Sequence, residues 1–250
     1  MLPRKAEVDL TRSICSYTAC LGYDLNQCAA VSKTIEPGAG WQAGASLPAS
    51  SSHTIPARRT ICHPKEWSEF IPIVCRGWAA SSLTLPDGRR QILSFLLPGD
   101  VVSTACLLEP MSGRSVEAIT EVTYRKFKRS DLKENLFKHP EFLEKFAKTW
   151  IEERTQADQL ALDLGRRTAD ERIARLILNL MEKLAKCGMT NDQTMEFPLR
   201  QRHIADATGL TPVHVSKVLG EFQRAGMIKI SNRSLTITNA TELRRSADWR

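Results

Sequence analysis

The stretch "RHIADATGLTPVHVSKVLGEFQRAGMI", residues 202–228, carries the densest local signals in the chain. Its first part predicts a short helix with Ile204 turned inward, and Gly209 lies where a tight turn between two helices needs a positive φ. Thr211 is a favourable N-cap for a second helix, and Pro212 suits the first helical position, where its missing N–H is no loss. The stretch therefore predicts a helix-turn-helix.

The second helix of this motif has an apolar side and an open side. Helical spacing assigns the apolar side to Val215, Val218, Leu219 and Phe222. In a DNA-binding helix-turn-helix, the N-terminal end of the second helix enters the major groove. The outward residues at that end, which we expect to contact bases, are Val213, His214, Ser216 and Lys217.

The sequence after the motif adds a wing and a positive charge. "MIKISNRSLTIT", residues 227–238, alternates around Asn232-Arg233 and predicts a two-stranded hairpin. From residue 200 to residue 250 there are nine Lys or Arg against four acidic residues, a net +5 of the chain's +7. Such charge suits phosphate contacts, which we expect from Arg200, Arg202, Thr211, Lys229 and Arg233.

Composition limits the class of protein. The 250 residues are 42% hydrophobic and 25% charged, which is typical of a globular chain of one or two domains. No apolar run approaches the roughly 18 residues of a membrane span, and the N-terminus lacks a signal-peptide pattern, so we expect a cytoplasmic protein without a membrane partner. Seven cysteines, an odd number, favour reduced thiols or a metal site over a disulfide framework.

The rest of the chain divides into three zones before the motif. Residues 1–53 contain three cysteines and the stretch "EPGAGWQAGASLPASSS", which is typical of a flexible linker. Residues 54–130 break into short apolar runs, "EFIPIVCRGW", "ASSLTLPDGRRQILSFLLPGDVV" and "EAITEVTYRKF", which predict the strands of a small β-roll or barrel. Residues 131–165 have helical periodicity with a start at Pro140 and an interruption at Gly165, and residues 166–250 contain the helix-turn-helix.

The helical zone has an apolar stripe with two interpretations. Its residues are Phe142, Phe146, Trp150, Ile151, Leu160, Leu162 and Leu164. A long helix with such a stripe often pairs with a copy of itself, which predicts a homodimer. Ordinary packing inside one chain is the alternative.

The order of these zones, with "LLPGDVV", "RTADERIARLILNL" and "GLTPVHVSKVLGEFQRAGMI", resembles the Crp/Fnr family of bacterial transcription regulators over roughly residues 54–240. The resemblance implies an α+β fold: an N-terminal double-stranded β-roll of the cyclic-nucleotide-binding type, a long dimerisation helix and a C-terminal winged helix-turn-helix. It also implies a homodimer that binds a pseudo-palindromic operator in double-stranded DNA and acts on RNA polymerase. A ligand or cofactor at the sensor domain would set its activity.

The resemblance also assigns base contacts. Residues at the places of Val213, Ser216 and Lys217 read base edges in the family, but a glutamate is common at the first place and an arginine at the last. Lysine donates to guanine without the planar fork of arginine, and valine suits a thymine methyl rather than cytosine. We therefore expect a half-site that differs from the well-known family sequences. His214 contacts a base or a phosphate, or lies in solvent.

The sequence leaves two kinds of signal possible: a small ligand bound at the roll, or a change at the cysteines. Cyclic-nucleotide members of the family hold the phosphate with an Arg-Ser pair and the ribose with a Gly-Glu pair. Arg114-Ser115 matches the first pair, which makes these two residues the candidate ligand site, unless Arg114 is only a surface arginine. Ser103-Thr104 stands in place of the second pair, so we do not expect cyclic AMP.

Cys15, Cys20 and Cys28 precede the roll, as cluster cysteines do in oxygen-sensing members, and are the candidate ligands of an iron-sulfur cluster. Their spacing is looser than the family pattern, and the fourth ligand would fall near Tyr124 or Arg125, neither of which is a thiolate donor. Substitutes for the fourth ligand would be Cys62, Cys75 or Cys106. A regulatory thiol, Cys187 included, and unreactive cysteines remain alternatives.

Two other classes of protein fit less well. An enzyme would need a nucleophile, a base and an orienting group, and the neighbours Cys62 and His63 do not face each other in a strand. The chain also lacks a P-loop, a Rossmann glycine pattern and a zinc-hydrolase motif. The remaining alternative is a small-ligand-binding module whose helix-turn-helix is not used for DNA.

Overall fold

A computed structural model describes residues 51–102, 104–111, 113–138 and 140–247. In chain order, this part forms a β-roll, two connecting helices and a C-terminal unit of helices and a small sheet. None of its helices is both long and apolar enough to cross a membrane.

The β-roll consists of seven antiparallel strands in two sheets. The strands are β1 (Ser51–Ile55), β2 (Thr60–Cys62), β3 (Phe70–Arg76), β4 (Ala79–Thr84), β5 (Arg90–Leu96), β6 (Ser115–Ala118) and β7 (Val122–Lys128). One sheet has the order β1-β7-β3 and the other β2-β6-β4-β5, and a 3₁₀ helix lies at Thr104–Leu107. Small and branched side chains fill the space between the sheets: Val74, Ala79, Leu96, Val102, Val116, Ala118 and Val122.

Two helices connect the roll to the C-terminal unit. They are α1 (Arg129–Lys138) and α2 (Pro140–Arg166). The interruption expected at Gly165 does not occur, because α2 continues through this residue to Arg166. Several large apolar side chains of α2 face solvent: Leu143, Trp150, Ile151 and Leu162. The length of α2 agrees with the helix expected from the sequence, but among the described side chains of the expected stripe only Trp150, Ile151 and Leu162 are exposed, whereas Phe146, Leu160 and Leu164 are half-buried.

The C-terminal unit combines four helices with two hairpins. Its elements are α3 (Ala169–Lys186), β8 (Thr190–Asn191), β9 (Thr194–Glu196), α4 (Gln201–Thr208), α5 (Pro212–Arg224), β10 (Ile228–Ser231), β11 (Ser234–Ile237) and α6 (Ala240–Ser246). Thr168 caps α3 through a capping box with Glu171, whose carboxylate accepts from the Thr168 backbone N–H. The sheet has the order β10-β11-β9-β8.

The roll and the C-terminal unit share one apolar core. Trp78, Ile92, Phe95 and Leu97 of the roll belong to the same buried cluster as side chains of α3, α4 and α5, among them Ile173, Ile177, Leu184, Ile204 and Val215. Burying each such side chain contributes about 1.5–3 kcal/mol. The shared core therefore places the helix-turn-helix directly on the roll.

Three predictions of element boundaries differ from the structure. Strand β1 starts at Ser51, so the last residues of the predicted linker zone 1–53 form an edge strand that pairs with β7. The β10–β11 hairpin exists, but β9 pairs with β11, so the expected two-stranded wing is part of a four-stranded sheet. The helical zone predicted at 131–165 contains two helices, of which α1 already begins at Arg129. The short polar strands β1 and β9 lack the apolar alternation by which the other strands are predicted from the sequence.

We expect Gly77→Ala to destabilise the protein by about 2–4 kcal/mol, more than Gly88→Ala, which should cost about 1 kcal/mol. Both glycines have φ near +87°, but a Cβ at Gly77 would overlap the Glu121 carbonyl oxygen, whereas one at Gly88 meets nothing within 4 Å. Urea unfolding of both variants measures the difference. Equal losses would show that the β3–β4 turn has room for a side chain.

Candidate nucleic-acid interface

The turn of the helix-turn-helix is fixed by local backbone chemistry. Gly209 ends α4 with φ +67°, a left-handed conformation that glycine adopts without strain. Thr211 caps α5, since its Oγ1 accepts a hydrogen bond from the His214 backbone N–H at 3.2 Å. Three residues separate α4 from α5, so the position of one helix determines the position of the other.

Helix α5 buries one side and exposes the other, as its sequence predicts. Val215, Val218, Leu219 and Phe222 are buried against α3 and α4. Val213 is 80% exposed and the Lys217 side chain 71%, and His214 and Ser216 are exposed as well. The four residues expected to contact bases thus lie together at the open N-terminal end of α5.

The wing is built on a tight turn. Asn232 and Arg233 both have positive φ, 49° and 60°, which is the pattern of a two-residue hairpin of type I′. The Phe197 backbone N–H donates to the Arg233 carbonyl oxygen at 2.7 Å, which anchors the turn to the segment before α4. The side chains of Lys229 and Arg233 remain exposed.

The residues expected to contact phosphates lie around α5. Arg200, Arg202 and Thr211 are exposed at the starts of the two helices, and Lys229 and Arg233 are exposed on the hairpin. Beside the shared core, an open groove of about 1800 Å³ lies between the roll and the C-terminal unit, and its walls include Arg200, Arg202, Ser216 and Arg233. The groove thus brings one base-contact candidate, Ser216, together with three phosphate-contact candidates, Arg200, Arg202 and Arg233.

His203 is a site residue that no local sequence pattern indicates. Its Nδ1 accepts a hydrogen bond from the Arg200 backbone N–H at 3.2 Å, which satisfies one free donor at the start of α4. Burial, followed by the positive charge of Arg90, lowers the pKa of His203 below its ordinary value. The imidazole is therefore held in the neutral form that can accept this bond.

Polar contacts between the roll and the C-terminal unit were also missed. Arg90 on β5 pairs with Asp206 on α4 at 2.8 Å and with Glu117 on β6 at 2.6 Å. Lys183 on α3 lies 2.5 Å from Asp100 and donates to the Phe95 carbonyl oxygen. The partners are between 27 and 116 residues apart in the chain, so no local pattern could reveal them.

The candidate ligand residues lie at the start of strand β6. Ser115 opens the strand opposite Ser82 of β4, and Arg114 directly precedes it, half-buried and in contact with other groups. Ser103 and the three cysteines expected to hold a cluster, Cys15, Cys20 and Cys28, lie outside the described residues.

The four described cysteines are reduced and lie in different surroundings. Burial raises the pKa of Cys62 to about 12, and burial also raises the pKa of Cys187. A raised pKa disfavours the thiolate, which is the reactive and metal-binding form. Cys75 and Cys106 are half-buried, and no group of three or more possible metal ligands occurs within the described ranges.

The fold and the interface define a class of protein, a sensor roll joined to a winged helix-turn-helix. Comparison with protein families agrees: residues 52–139 match the cyclic nucleotide-binding domain and residues 171–246 match the Crp-like helix-turn-helix domain. Two regulators are similar in sequence. Nitrogen fixation regulation protein FixK of Bradyrhizobium diazoefficiens is 35% identical over 61% of this chain and 63% of its own length. Transcriptional activatory protein AadR of Rhodopseudomonas palustris is 34% identical over 66% of this chain and 68% of its own.

A solved structure supports the same assignment. FixK2 from Bradyrhizobium japonicum superposes with a TM-score of 0.72 at 29% identity, and the match covers 79% of this chain and 97% of FixK2. This chain therefore belongs to the Crp/Fnr family of transcription regulators. The predicted order of roll, long helix and winged helix-turn-helix is confirmed.

We expect the protein to lose stability as the pH falls below about 6.5, the ordinary pKa of histidine, because the folded state holds His203 neutral. The stability from neutral His203 is present above this value and is lost as the pH falls towards the lower folded pKa. Urea unfolding at pH 7.5 and 5.5 measures the loss. His203→Gln should show a smaller difference between the two pH values, and the exposed-histidine control His63→Gln should behave as the wild type. An unchanged difference in His203→Gln would contradict this assignment.

Proposed function

We propose that the protein binds double-stranded DNA as a homodimer, with the N-terminal end of each α5 in a major groove. The observation that carries this proposal is the exposure of Val213, His214, Ser216 and Lys217 on a helix whose other side is fully packed. A duplex with two half-sites about one helical turn apart would meet both recognition helices of a twofold-symmetric dimer.

The chemistry of these four side chains limits the half-site. Lys217 donates hydrogen bonds and suits guanine O6 or N7, while Val213 offers an apolar contact to a thymine methyl. Ser216 accepts or donates, and His214 contacts a base or the neighbouring phosphate. Lys217 Nζ forms a long ion pair with Glu221 Oε1 at 4.0 Å, and because both side chains are exposed this pair holds the ammonium only weakly.

Backbone contacts would come from five residues that surround the recognition helix: Arg200, Arg202, Thr211, Lys229 and Arg233. These groups fix the register of the protein on the duplex but carry no sequence information. They make binding depend on salt, because each neutralised phosphate releases counterions. A module that binds only a small ligand would show no such dependence.

The dimer would form along α2. Leu143 and Trp150 are seven residues apart, about two helical turns, and Ile151 and Leu162 are eleven apart, about three turns, so each pair shares a side of the helix. All four side chains are more than 40% exposed in the single chain. A partner α2 would remove this apolar surface from water.

The regulatory parts of the proposal follow the family. RNA polymerase is the proposed protein partner. The signal would enter either at Arg114 and Ser115 or at the N-terminal cysteines Cys15, Cys20 and Cys28, through an iron-sulfur cluster or a redox-active thiol. Thr104 supplies no carboxylate for a ribose hydroxyl, so cyclic AMP is not the proposed ligand.

Lys217→Ala should weaken binding to the preferred duplex by about 1–3 kcal/mol and relax the preference at one base pair, because a base contact is lost. Arg233→Ala should weaken binding to all duplexes alike and reduce the slope of log affinity against log salt by about 0.9 for each protomer. Fluorescence anisotropy titrations with preferred and random duplexes separate the two effects. Equal losses of Lys217→Ala on both duplexes would contradict its assigned role.

Ile151→Glu should convert the dimer into a monomer, because a carboxylate would be buried in the apolar stripe of α2. Sedimentation velocity measures the change. Gln156→Glu adds the same charge at an exposed polar position of α2 and should leave the dimer intact. A dimer that tolerates Ile151→Glu would place the interface elsewhere.

A further inference from the structure

The contact between strand β5 and helix α4 is built around a single guanidinium. Nε and Nη2 of Arg90 both lie 2.8 Å from Oδ2 of Asp206 on α4. Nη1 of the same side chain lies 2.6 Å from Oε2 of Glu117 on β6. One residue thus joins a carboxylate of the roll to a carboxylate of the helix-turn-helix.

Partial burial strengthens the pair, and its geometry favours one orientation of α4 on β5. The Arg90 and Asp206 side chains are 17% and 18% exposed, so solvent screens the pair only weakly. A guanidinium that meets one carboxylate through two N–H groups fixes the direction as well as the distance between the two elements. Arg202 also lies near Asp206, with Nε 4.0 Å from Oδ2, and the residue after Arg202, His203, is held neutral.

A neighbouring contact fixes the same helix. The side-chain amide of Gln91 donates to the Ala207 carbonyl oxygen at 3.1 Å. The apolar side chains beneath, such as Ile92 and Phe95, attract α4 without a preferred direction, because the hydrophobic effect follows buried area alone. The polar contacts of Arg90 and Gln91 therefore select one orientation among those that the apolar core allows.

This orientation exposes the N-terminal end of α5 and places Ser216 on the wall of the groove between the C-terminal unit and the roll. Asp206 lies three residues before Gly209, and the short turn that follows leads directly into α5. With α4 docked on β5, Val213 and Lys217 are largely exposed. If α4 stayed on β5 without the Arg90–Asp206 pair, both side chains would remain partly buried without this contact, which costs free energy.

We propose that Arg90 is a positioning residue for DNA recognition, which holds the helix-turn-helix in the orientation that presents α5 to the operator. Glu117 extends the connection to the sensor, because it lies two residues after Ser115 on β6. A ligand at Arg114 and Ser115 that shifts β6 would move Glu117 and so change the pairing of Arg90 with Asp206. This inference rests on the proposed function and adds the path by which the roll would control it.

The test compares operator affinity among folded variants, with an operator selected from random duplexes by the wild-type protein. Arg90→Gln should weaken operator binding about tenfold, and Arg90→Lys, which keeps one charge-assisted bond, should lose less. The double variant Arg90→Gln/Asp206→Asn should bind no more weakly than Arg90→Gln, because both changes break the same pair. Circular dichroism and the measured active fraction confirm that each variant compared is folded.

A matched control removes the same charge one residue earlier. Arg89 pairs with Asp87 at the exposed tip of the β4–β5 hairpin, and its side chain is 78% exposed, so Arg89→Gln should keep wild-type affinity within about twofold. Wild-type affinity in folded Arg90→Gln, or additive losses in the double variant, would overturn the positioning role. If Arg90→Gln does not fold, Arg90→Lys, Asp206→Asn and their double variant give the same comparison.

The result also distinguishes this inference from the proposed function. A wild-type protein that binds all duplexes alike would overturn both. A wild-type protein that selects an operator, with an affinity independent of residue 90, would overturn the positioning role alone.

Discussion

The apolar contact between the β-roll and the C-terminal unit determines how the two halves of the chain can act on each other. Trp78, Ile92 and Phe95 of the roll lie in one buried cluster with α3, α4 and α5. Without this contact the winged helix-turn-helix would be a separate body on a helical connection, and a change in the roll could reach α5 only through that connection. Because of this contact, strand β5 and helix α4 are neighbours, so a displacement of one strains the packing of the other.

The proposed interface for DNA depends on the two opposite sides of α5. α5 has a buried side because α3 and α4 cover it, and its exposed side contains Val213, His214, Ser216 and Lys217, the side chains proposed to read bases. The capped start at Thr211 and the left-handed Gly209 hold these groups in a fixed frame. Fixed placement lowers the ordering cost of binding, which is the usual reason that recognition groups lie on rigid elements.

Local chemistry explains which features the sequence could predict. Gly209, Thr211 and Pro212 act within a few residues, and the apolar period of α5 is visible in its own sequence, so the motif was predicted with its caps and its buried side. Strand β1 was missed because its polar residues alternate in burial but not in hydrophobicity, and β9 was missed because its partner β11 follows about 40 residues later. The Arg90–Asp206 pair joins residues 116 apart, and His203 is significant only through its burial beside Arg90.

The most direct test of the central claim is selection of binding sites from a pool of randomised duplexes with the purified full-length protein. A dimer that reads DNA through two copies of α5 predicts enrichment of an inverted repeat whose half-sites are centred about 10 base pairs apart. Recovery of a duplex population without a shared sequence would contradict the claim, because the exposed end of α5 would then have no role in reading bases.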